Sequence, residues 1–164
     1  MTVTHPDSAL DEHTLRSAFG AFPSGVVAVA AEVDGERVGM AASSFTSVSL
    51  EPALVSFAVA RGSSTWPRLR RSGRLGLSVL ADHHDAVCRR LAGPAEGRFV
   101  DLATRTADGG AVLLDEAVAT FECSVDREIE AGDHLLVLLA LHAVADPGLA
   151  DPLVFHRSGF GRLG

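Results

Sequence analysis

The most distinctive stretch of this sequence is residues 39–49, GMAASSFTSVS, in which small and hydroxyl side chains directly follow a predicted strand. Small side chains let a bulky ligand approach the backbone, and amides and hydroxyls can bond to a polar ligand edge. The pattern therefore suits a large, flat cofactor with one polar edge. The alternative is a solvated Ser/Thr loop that binds nothing.

A second stretch, residues 61–66 with the sequence RGSSTW, places hydroxyls and amide donors at the start of a predicted helix, behind one arginine. Helix N-termini bind phosphate groups because their free N–H groups and dipole favour anions. The alternative is simple N-capping, with Trp66 packed as a core aromatic residue. The spacing alone leaves both open.

A third stretch, residues 130–134 with the sequence EAGDH, is a turn that sets His134 at the start of a strongly apolar strand. Imidazole can donate a hydrogen bond, stack on a ring or move a proton near neutral pH. The alternative is a histidine that stabilises the turn. Residues 155–160, FHRSGF, add aromatic and cationic groups near the C-terminus, or form a tail packed over the fold.

The elements that would position these stretches begin with a helix. Asp11 is a typical N-cap, and four apolar residues after it follow the 3.6-residue period, namely Leu15, Ala18, Phe19 and Phe22. The pattern predicts a helix with one face packed into the core, ended by Pro-Ser-Gly at residues 23–25. Residues 26–33 and 36–41 then predict a hairpin, since Asp34-Gly35 suits a tight turn.

Four further apolar runs predict more strands, at residues 53–60, 75–80, 117–125 and 135–144. In the third run, the odd-numbered residues from 119 to 125 are predicted to face the core and the even-numbered ones solvent. Short helices fit after Thr65 and, capped by Asp82, up to Leu91; residues 93–110 predict a long loop. About six or seven antiparallel strands with two or three short helices indicate a closed barrel.

Composition limits the classes of function. At 164 residues with 47% hydrophobic side chains, the chain suits one domain, predicted over residues 11–164 behind a flexible segment at 1–10. A formal net charge of -7 disfavours nucleic acids and anionic membrane surfaces as partners. The sequence has no secretory signal pattern and no apolar run of membrane-spanning length, so we expect a cytoplasmic protein.

A structural metal is not expected. Cys88 and Cys123 lie outside any Cys/His cluster with zinc-ligand spacing. His83 and His84 are adjacent, and adjacent positions on a helix do not face one ligand.

Taken in this order, the segments resemble the short-chain flavin reductase family, the reductase components of two-component flavin monooxygenases, over residues 15–160. The points of match are residues 22–26 (FPSGV), 39–49, Pro52, 64–66 (STW), 98–99 (RF), 131–134 (AGDH), 152–153 (PL) and 155–156 (FH). Two positions depart from the family, which tends to have a polar residue at Ala41 and often has Tyr at Phe160.

The resemblance implies an FMN-binding split barrel, usually a homodimer, with the flavin near the subunit interface. It implies that His134 lies near the nicotinamide as the catalytic residue. It also implies three groups of flavin contacts. The ring and ribityl contacts would be Met40, Ala41, Ala42, Ser43, Ser44, Phe45, Ser47 and Val48, with Ser24 and Gly25 also touching the cofactor. The phosphate end would be served by Gly62, Ser63, Ser64, Thr65 and Arg98, and Phe160 would close the pocket.

The implied activity is reduction of FMN or FAD by NADH or NADPH, by hydride transfer to the flavin, which then supplies a partner monooxygenase. Two other activities remain open on the same fold. A tightly bound flavin would make the protein an oxygenase, an oxidase or an electron shuttle. A flavin-binding module without catalysis would store or deliver the cofactor.

Overall fold

The architecture is known from a computed structural model that describes residues 10–148 and 150–164. The segment predicted to be flexible, residues 1–10, lies outside the described residues except for Leu10. The elements are α1 (Glu12–Gly20), β1 (Val27–Val33), β2 (Glu36–Ala42), β3 (Thr46–Leu50), β4 (Ala53–Ala60), α2 (Trp66–Leu69), β5 (Leu75–Val79), α3 (Asp85–Ala92), β6 (Thr104–Thr106), β7 (Val112–Leu114), β8 (Thr120–Ala131), β9 (His134–Ala145), β10 (Val154–His156) and β11 (Gly159–Gly161). No helix in the described ranges has the length and apolar character needed to cross a bilayer.

Seven strands form one antiparallel sheet in the order β2-β1-β5-β8-β9-β4-β3. The predicted mainly β fold, with six or seven antiparallel strands and short helices, is confirmed. The β1–β2 turn is the predicted one, because Asp34 and Gly35 both have positive φ angles, 52° and 79°, as a tight hairpin turn requires. Two short two-stranded sheets, β6–β7 and β10–β11, complete the described strands.

The sheet curls around one apolar core. Fully buried residues from five of its strands meet there, among them Val29, Phe57, Leu77, Cys123 and Leu139. The edge strand β2 contributes Val38 and Ala42 to the same core. Burial of this apolar surface is the main stabilising term of the fold.

A second, smaller apolar cluster lies between the sheet and the segments outside it. It includes Val26, Cys88, Leu91 and Leu153 as buried members, with Phe155 and Phe160 packed against them. The cluster therefore holds α3 and the β10–β11 hairpin on the outer side of the sheet. This packing creates the walls of the cavities described below.

The predicted packing of α1 is wrong. The helix forms with Asp11 as its N-cap, whose side chain accepts a hydrogen bond from the Thr14 amide. However, α1 has no buried residue, and Phe19 and Phe22 are 71% and 79% exposed. The core is closed by the strands together with α2, so no apolar surface remains inside for this helix.

Several other boundaries differ from prediction. Residues 46–50 form strand β3 rather than only a loop, and β6 lies within the predicted loop at 93–110. Helix α3 begins at Asp85 with His84, not Asp82, at the N-cap position. In β8, Thr120 is buried although the alternation put it on the solvent side; Arg105 of β6 lies over it and donates a hydrogen bond to its Oγ1 at 3.4 Å.

Candidate functional site

Three cavities lie beside β2 and the residues that follow it. We call them the arginine cavity, the apolar cavity and the histidine cavity, after their linings. Residues two apart on a strand face the same side, so Gly39 and Ala41 present their backbone to the same surface.

The arginine cavity is the smallest, at about 60 Å³. Its lining is Arg37, Val38, Gly39, Ser64, Thr65, Arg68, Ala95, Arg98 and Phe99. Arg68 pairs with Glu36 at 2.7 Å, whereas Arg37 and Arg98 have no carboxylate partner among the described residues. The cavity therefore has unneutralised positive charge and is suited to an anion.

Arg98 also holds this cavity together. Its Nη1 donates to Gly39 O at 2.8 Å and to Thr65 Oγ1 at 3.0 Å, and Nε donates to Gly93 O at 3.0 Å. Nη2 makes a further bond to Gly93 O. Since a guanidinium has five N–H groups, four bonds to the protein leave one for a ligand.

The start of α2 offers less to an anion than its sequence indicated. The helix has only four residues, and Thr65 makes no capping bond with its side chain. Instead, Ser63 Oγ accepts from the amides of Thr65 and Trp66, at 3.3 and 3.2 Å. These amides are occupied, so positive charge near Ser64 and Thr65 comes from arginine side chains. Trp66 packs in the core against Phe57.

Glycine at position 39 is required by close packing. A Cβ there would lie 2.6 Å from Phe99 Cζ and 3.0 Å from both Ala30 Cβ and Val29 O. The absent side chain lets the segment containing Arg98 and Phe99 lie directly on β2. A glycine inside a strand is a signal of such close approach.

The apolar cavity has a volume of about 220 Å³ and lies between β2, α3 and the β10–β11 hairpin. Its lining is Val26, Ala41, Ala42, Ser43, Cys88, Arg89, Ala92, Phe155 and Phe160. Arg89 lies 4.9 Å from the centre of the Phe160 ring. A mostly apolar wall with one hydroxyl and aromatic side chains is typical of a site for a flat ring.

The histidine cavity is larger, at about 520 Å³, and shares Ser43 and Phe155 with the apolar cavity. Its lining is Arg16, Phe19, Gly20, Phe22, Ser24, Ser43, His134, Phe155, Arg157 and Ser158. Phe19 and Phe22, which the core leaves exposed, are part of this wall. A second ring could stack here next to one held in the apolar cavity.

His134 is oriented by its neighbour. Its Nδ1 lies 2.7 Å from Asp133 Oδ1, and this hydrogen bond lowers the pKa of Asp133 below the usual carboxyl value. Because a carboxylate only accepts, Nδ1 carries the proton and Nε2 remains for a ligand.

Strand pairing explains why Ser43 and His134 meet. The Ser44 side chain bonds to both backbone groups of Ala58 in β4, at 2.8 and 3.2 Å. Two residues later, Ala60 pairs with His134 of β9. The hydroxyl at position 44 thus fixes the turn that carries Ser43 to the end of β4.

The cavities bring together about half of the predicted site residues. These are Ser24, Ala41, Ala42, Ser43, Ser64, Thr65, Arg98, His134 and Phe160. The others do not line any of the cavities described here: Gly25, Met40, Ser44, Phe45, Ser47, Val48, Gly62 and Ser63. Met40 and Phe45 pack against the core, so only their backbone could touch a ligand there.

Several lining residues were not predicted as site residues. Cys88 and Arg89 belong to helix α3, far in sequence from the predicted motifs, and only tertiary packing brings them in. Arg37 lies in β2 just before the predicted stretch at 39–49, and it lines the arginine cavity together with residues of two distant segments, such as Thr65 and Arg98. Phe22 and Phe155 lie inside segments that matched the family pattern, and this match was the signal from which they could have been predicted as site residues.

The two adjacent histidines do approach each other, contrary to the argument from helix geometry. They precede α3, their ring centres are 4.2 Å apart, and Glu116 lies within reach of both. However, His84 Nδ1 accepts the Ala81 N–H at 3.0 Å, which places the ring proton on Nε2 and leaves no lone pair for a metal. Burial and His83 also lower the pKa of His84. The absence of a structural metal stays a prediction.

The comparisons with known proteins agree that this chain is similar to flavin reductases. A family model described as a flavin reductase like domain matches residues 19–164. The flavin reductase of Pseudomonas putida is 39% identical over 155 residues, covering 94% of this chain and 91% of that protein. The reductase subunit HsaB of a flavin-dependent monooxygenase from Rhodococcus jostii (strain RHA1) is 29% identical over 152 residues, covering 93% of this chain and 78% of that protein. The NADH:FAD oxidoreductase of Streptomyces globisporus C-1027, solved in complex with NAD and FAD fragments, is 31% identical with a TM-score of 0.91, covering 100% of this chain and 98% of that one.

Proposed function

The chain belongs to the flavin reductase-like family, and we propose that it uses NADH or NADPH to reduce FMN or FAD for a separate monooxygenase. The observation that carries this proposal is the order of the three cavities. A cationic cavity, an apolar one and one containing His134 follow each other along the end of β2. The proposed reaction requires this order, because the flavin phosphate needs the cationic cavity, the flavin ring system needs the apolar one, and the hydride donor needs the one next to it.

The residues present fit a flavin nucleotide. Arg37 and the remaining N–H of Arg98 would bind the phosphate that FMN and FAD share. Ala41 has no side chain beyond Cβ, so a ring can lie against the backbone of β2. Ser43 and neighbouring amides would bond to the polar ring edge, and Phe160 would cover the ring from the hairpin.

When bound, the flavin supplies the hydride acceptor, and the nicotinamide supplies the hydride. The protein's contribution is to hold the two rings in contact and to exclude water between them. Phe19, Phe22 and Phe155 offer the apolar walls for the second ring. No side chain has to form a covalent bond.

His134 would position the nicotinamide. Asp133 holds a proton on Nδ1, so Nε2 is the ring atom that faces a ligand, and without a proton of its own it can accept a hydrogen bond from the carboxamide N–H of nicotinamide. Asp133 would act through His134 as a positioning residue.

The proposed partners follow from relatives and from the exposed apolar surface. HsaB of Rhodococcus jostii is a reductase subunit of a flavin-dependent monooxygenase, which supports a monooxygenase as recipient of the reduced flavin. Val48 and Leu50, exposed on the edge strand β3, support a homodimer, because exposed apolar side chains on one strand suit an interface with a partner. A single domain from residue 11 onwards and a cytoplasmic location also stay proposals.

The test is the oxidation of NADH and NADPH by the purified protein with added FMN, FAD or riboflavin, together with the flavin content of the protein as isolated. Many turnovers with free flavin would support the reductase and reveal both preferences. One flavin retained per chain with slow turnover would favour a flavoprotein with a bound cofactor. Flavin binding without any NADH or NADPH oxidation would indicate a binding module.

Two variants separate the role of His134 from a structural role. His134→Ala should raise the KM for NADH or slow hydride transfer while flavin affinity stays unchanged. Asp133→Asn should give a smaller effect in the same direction, because an amide oxygen accepts the hydrogen bond from Nδ1–H less strongly than a carboxylate does. Unchanged turnover in His134→Ala would refute the assigned role.

A further inference from the structure

A fourth cavity adjoins the histidine cavity and has no role in the function proposed above. Its volume is about 290 Å³, and its lining is His13, Arg16, Ser17, Gly20, Arg157 and Ser158. We call it the α1 groove. It shares Arg16, Gly20, Arg157 and Ser158 with the histidine cavity, so the two lie side by side.

One face of α1 forms one wall of the groove. His13, Arg16, Ser17 and Gly20 are spaced as neighbours on a helix surface, at i, i+3, i+4 and i+7. The face is polar, whereas the apolar residues of the same helix lie elsewhere on its surface. Every side chain on this wall can donate a hydrogen bond, except that Gly20 offers only backbone.

The opposite wall is the turn between β10 and β11, and it is held against α1. Arg157 N–H donates to Gly20 O at 2.9 Å. Ser24 and Phe155 exchange two backbone hydrogen bonds, at 2.8 and 2.9 Å, just before the turn. Arg157 and Ser158 have φ angles of 48° and 62°, as a tight two-residue hairpin turn requires. The walls are therefore fixed relative to each other.

The groove is cationic in a protein that is acidic overall. The chain has a formal net charge of -7, yet two guanidinium groups line this one groove. Arg157 has no carboxylate partner among the described residues. Arg16 is paired with Glu12 through Nε at 2.7 Å, at the exposed end of the helix, which leaves its other donors available.

We propose that the α1 groove binds a phosphate group of the pyridine dinucleotide, with Arg16 and Arg157 as its ligands. The proposal rests on the function proposed above, since it extends the nicotinamide site at His134. A nicotinamide in the histidine cavity is joined through ribose to a pyrophosphate, and the groove is a cationic space next to that cavity. Guanidinium groups suit phosphate oxygens because of their paired donors.

The experiment compares three variants with the unaltered protein. Arg157→Ala and Arg16→Ala should each raise the KM for the dinucleotide by about tenfold, the value of one charge-assisted hydrogen bond. Glu12→Gln frees Arg16 and should lower the KM. Arg162→Ala is the matched control, since Arg162 belongs to the same C-terminal segment but pairs with Asp82 and does not line the groove.

The KM values for NADH and NADPH distinguish the two phosphate groups that could occupy the groove. Equal increases for both nucleotides indicate the pyrophosphate, and an increase for NADPH alone indicates its 2′-phosphate. The affinity for flavin should not change in any of these variants.

Binding of NAD⁺ and NADP⁺, measured by calorimetry without turnover, separates failure of this proposal from failure of the reductase proposal. If the protein oxidises NADH or NADPH but Arg157→Ala and Arg16→Ala leave KM and Kd unchanged, the groove is not the phosphate site. If no flavin supports oxidation, the reductase proposal fails. In that case, loss of NAD⁺ or NADP⁺ binding in Arg157→Ala would still support phosphate binding in the α1 groove. If the unaltered protein itself binds neither NAD⁺ nor NADP⁺, the groove proposal is overturned.

Discussion

Arg98 and Arg37 line the same cavity, yet the structure predicts different consequences for replacing them. Arg98 makes four hydrogen bonds to protein acceptors. The Arg37 side chain makes no hydrogen bond or ion pair among the described residues. Arg98→Lys should therefore lower both stability and flavin affinity, whereas Arg37→Ala should lower flavin affinity alone.

The magnitude for Arg98 follows from its bonds. A lysine keeps the charge and can replace one of the four hydrogen bonds, so three are lost at about 1 kcal/mol each. The expected loss in the free energy of unfolding is about 3 kcal/mol, and for a chain of this size the Tm should fall by roughly 10 °C. The loss comes from separating β2, the start of α2 and the loop after α3.

The magnitude for Arg37 comes from the ligand. One charge-assisted bond to phosphate is worth about 1.5 kcal/mol or more, so the Kd for FMN should rise by about tenfold. Riboflavin lacks the phosphate, and its Kd should stay unchanged.

The assay is fluorescence titration with FMN and with riboflavin, combined with urea unfolding, for both variants. The ratio of the two Kd values isolates the phosphate. If Arg37→Ala leaves the FMN Kd unchanged, or raises the riboflavin Kd by the same factor, the arginine cavity does not bind the phosphate. If Arg98→Lys unfolds at the same urea concentration as the unaltered protein, the structural role derived for its hydrogen bonds is wrong.

Three further outcomes can be checked. Burial raises the pKa of the Cys88 thiol and raises that of Cys123 to about 12. Since only Cys88 lines the apolar cavity, saturating FMN should slow its reaction with a thiol reagent, while Cys123 should react only on unfolding. An unchanged rate for Cys88 would place the flavin outside this cavity. Burial lowers the pKa of His84, so the unfolded chain binds protons more readily, and stability should fall as the pH drops below about 6.5. His84→Asn keeps an acceptor for the same amide and should weaken this pH dependence. Identical urea-unfolding profiles of the unaltered protein at pH 7 and pH 5 would contradict the prediction. Gly76→Ala should cost about 3 kcal/mol of stability, because the new Cβ would lie 2.1 Å from Val112 O, and a thermal melt close to that of the unaltered protein would disprove this packing.

Local sequence signals predicted most of the framework. Asp34-Gly35 predicted the first hairpin, and Asp11 predicted the start of α1, because both depend on interactions within a few residues. The apolar runs and the first hairpin predicted every strand of the main sheet except β3, since side-chain alternation is a property of each strand by itself. The family resemblance, which depends on the order of motifs, is supported by the match over residues 19–164.

The site was only partly predictable, and neighbouring residues show why. Ser43 and Ser44 are chemically identical, but Ser43 lines two cavities whereas Ser44 bonds to β4. Nothing local distinguishes them, because the distinction depends on which side of the chain β4 lies. Arg37 likewise becomes part of the arginine cavity only when Phe99 packs against Gly39.

The sequence by itself determined most strands of the main sheet, the β1–β2 turn and the chemistry that the family pattern requires. The tertiary structure decided which side chains meet. The period of α1 identified an apolar face, but whether that face is buried depends on whether the core has space for it, and the strands with α2 already fill the core. That packing leaves Phe19 and Phe22 at the histidine cavity and turns the polar face of α1 towards Arg157, because burial and proximity are set by contacts between segments distant in the chain.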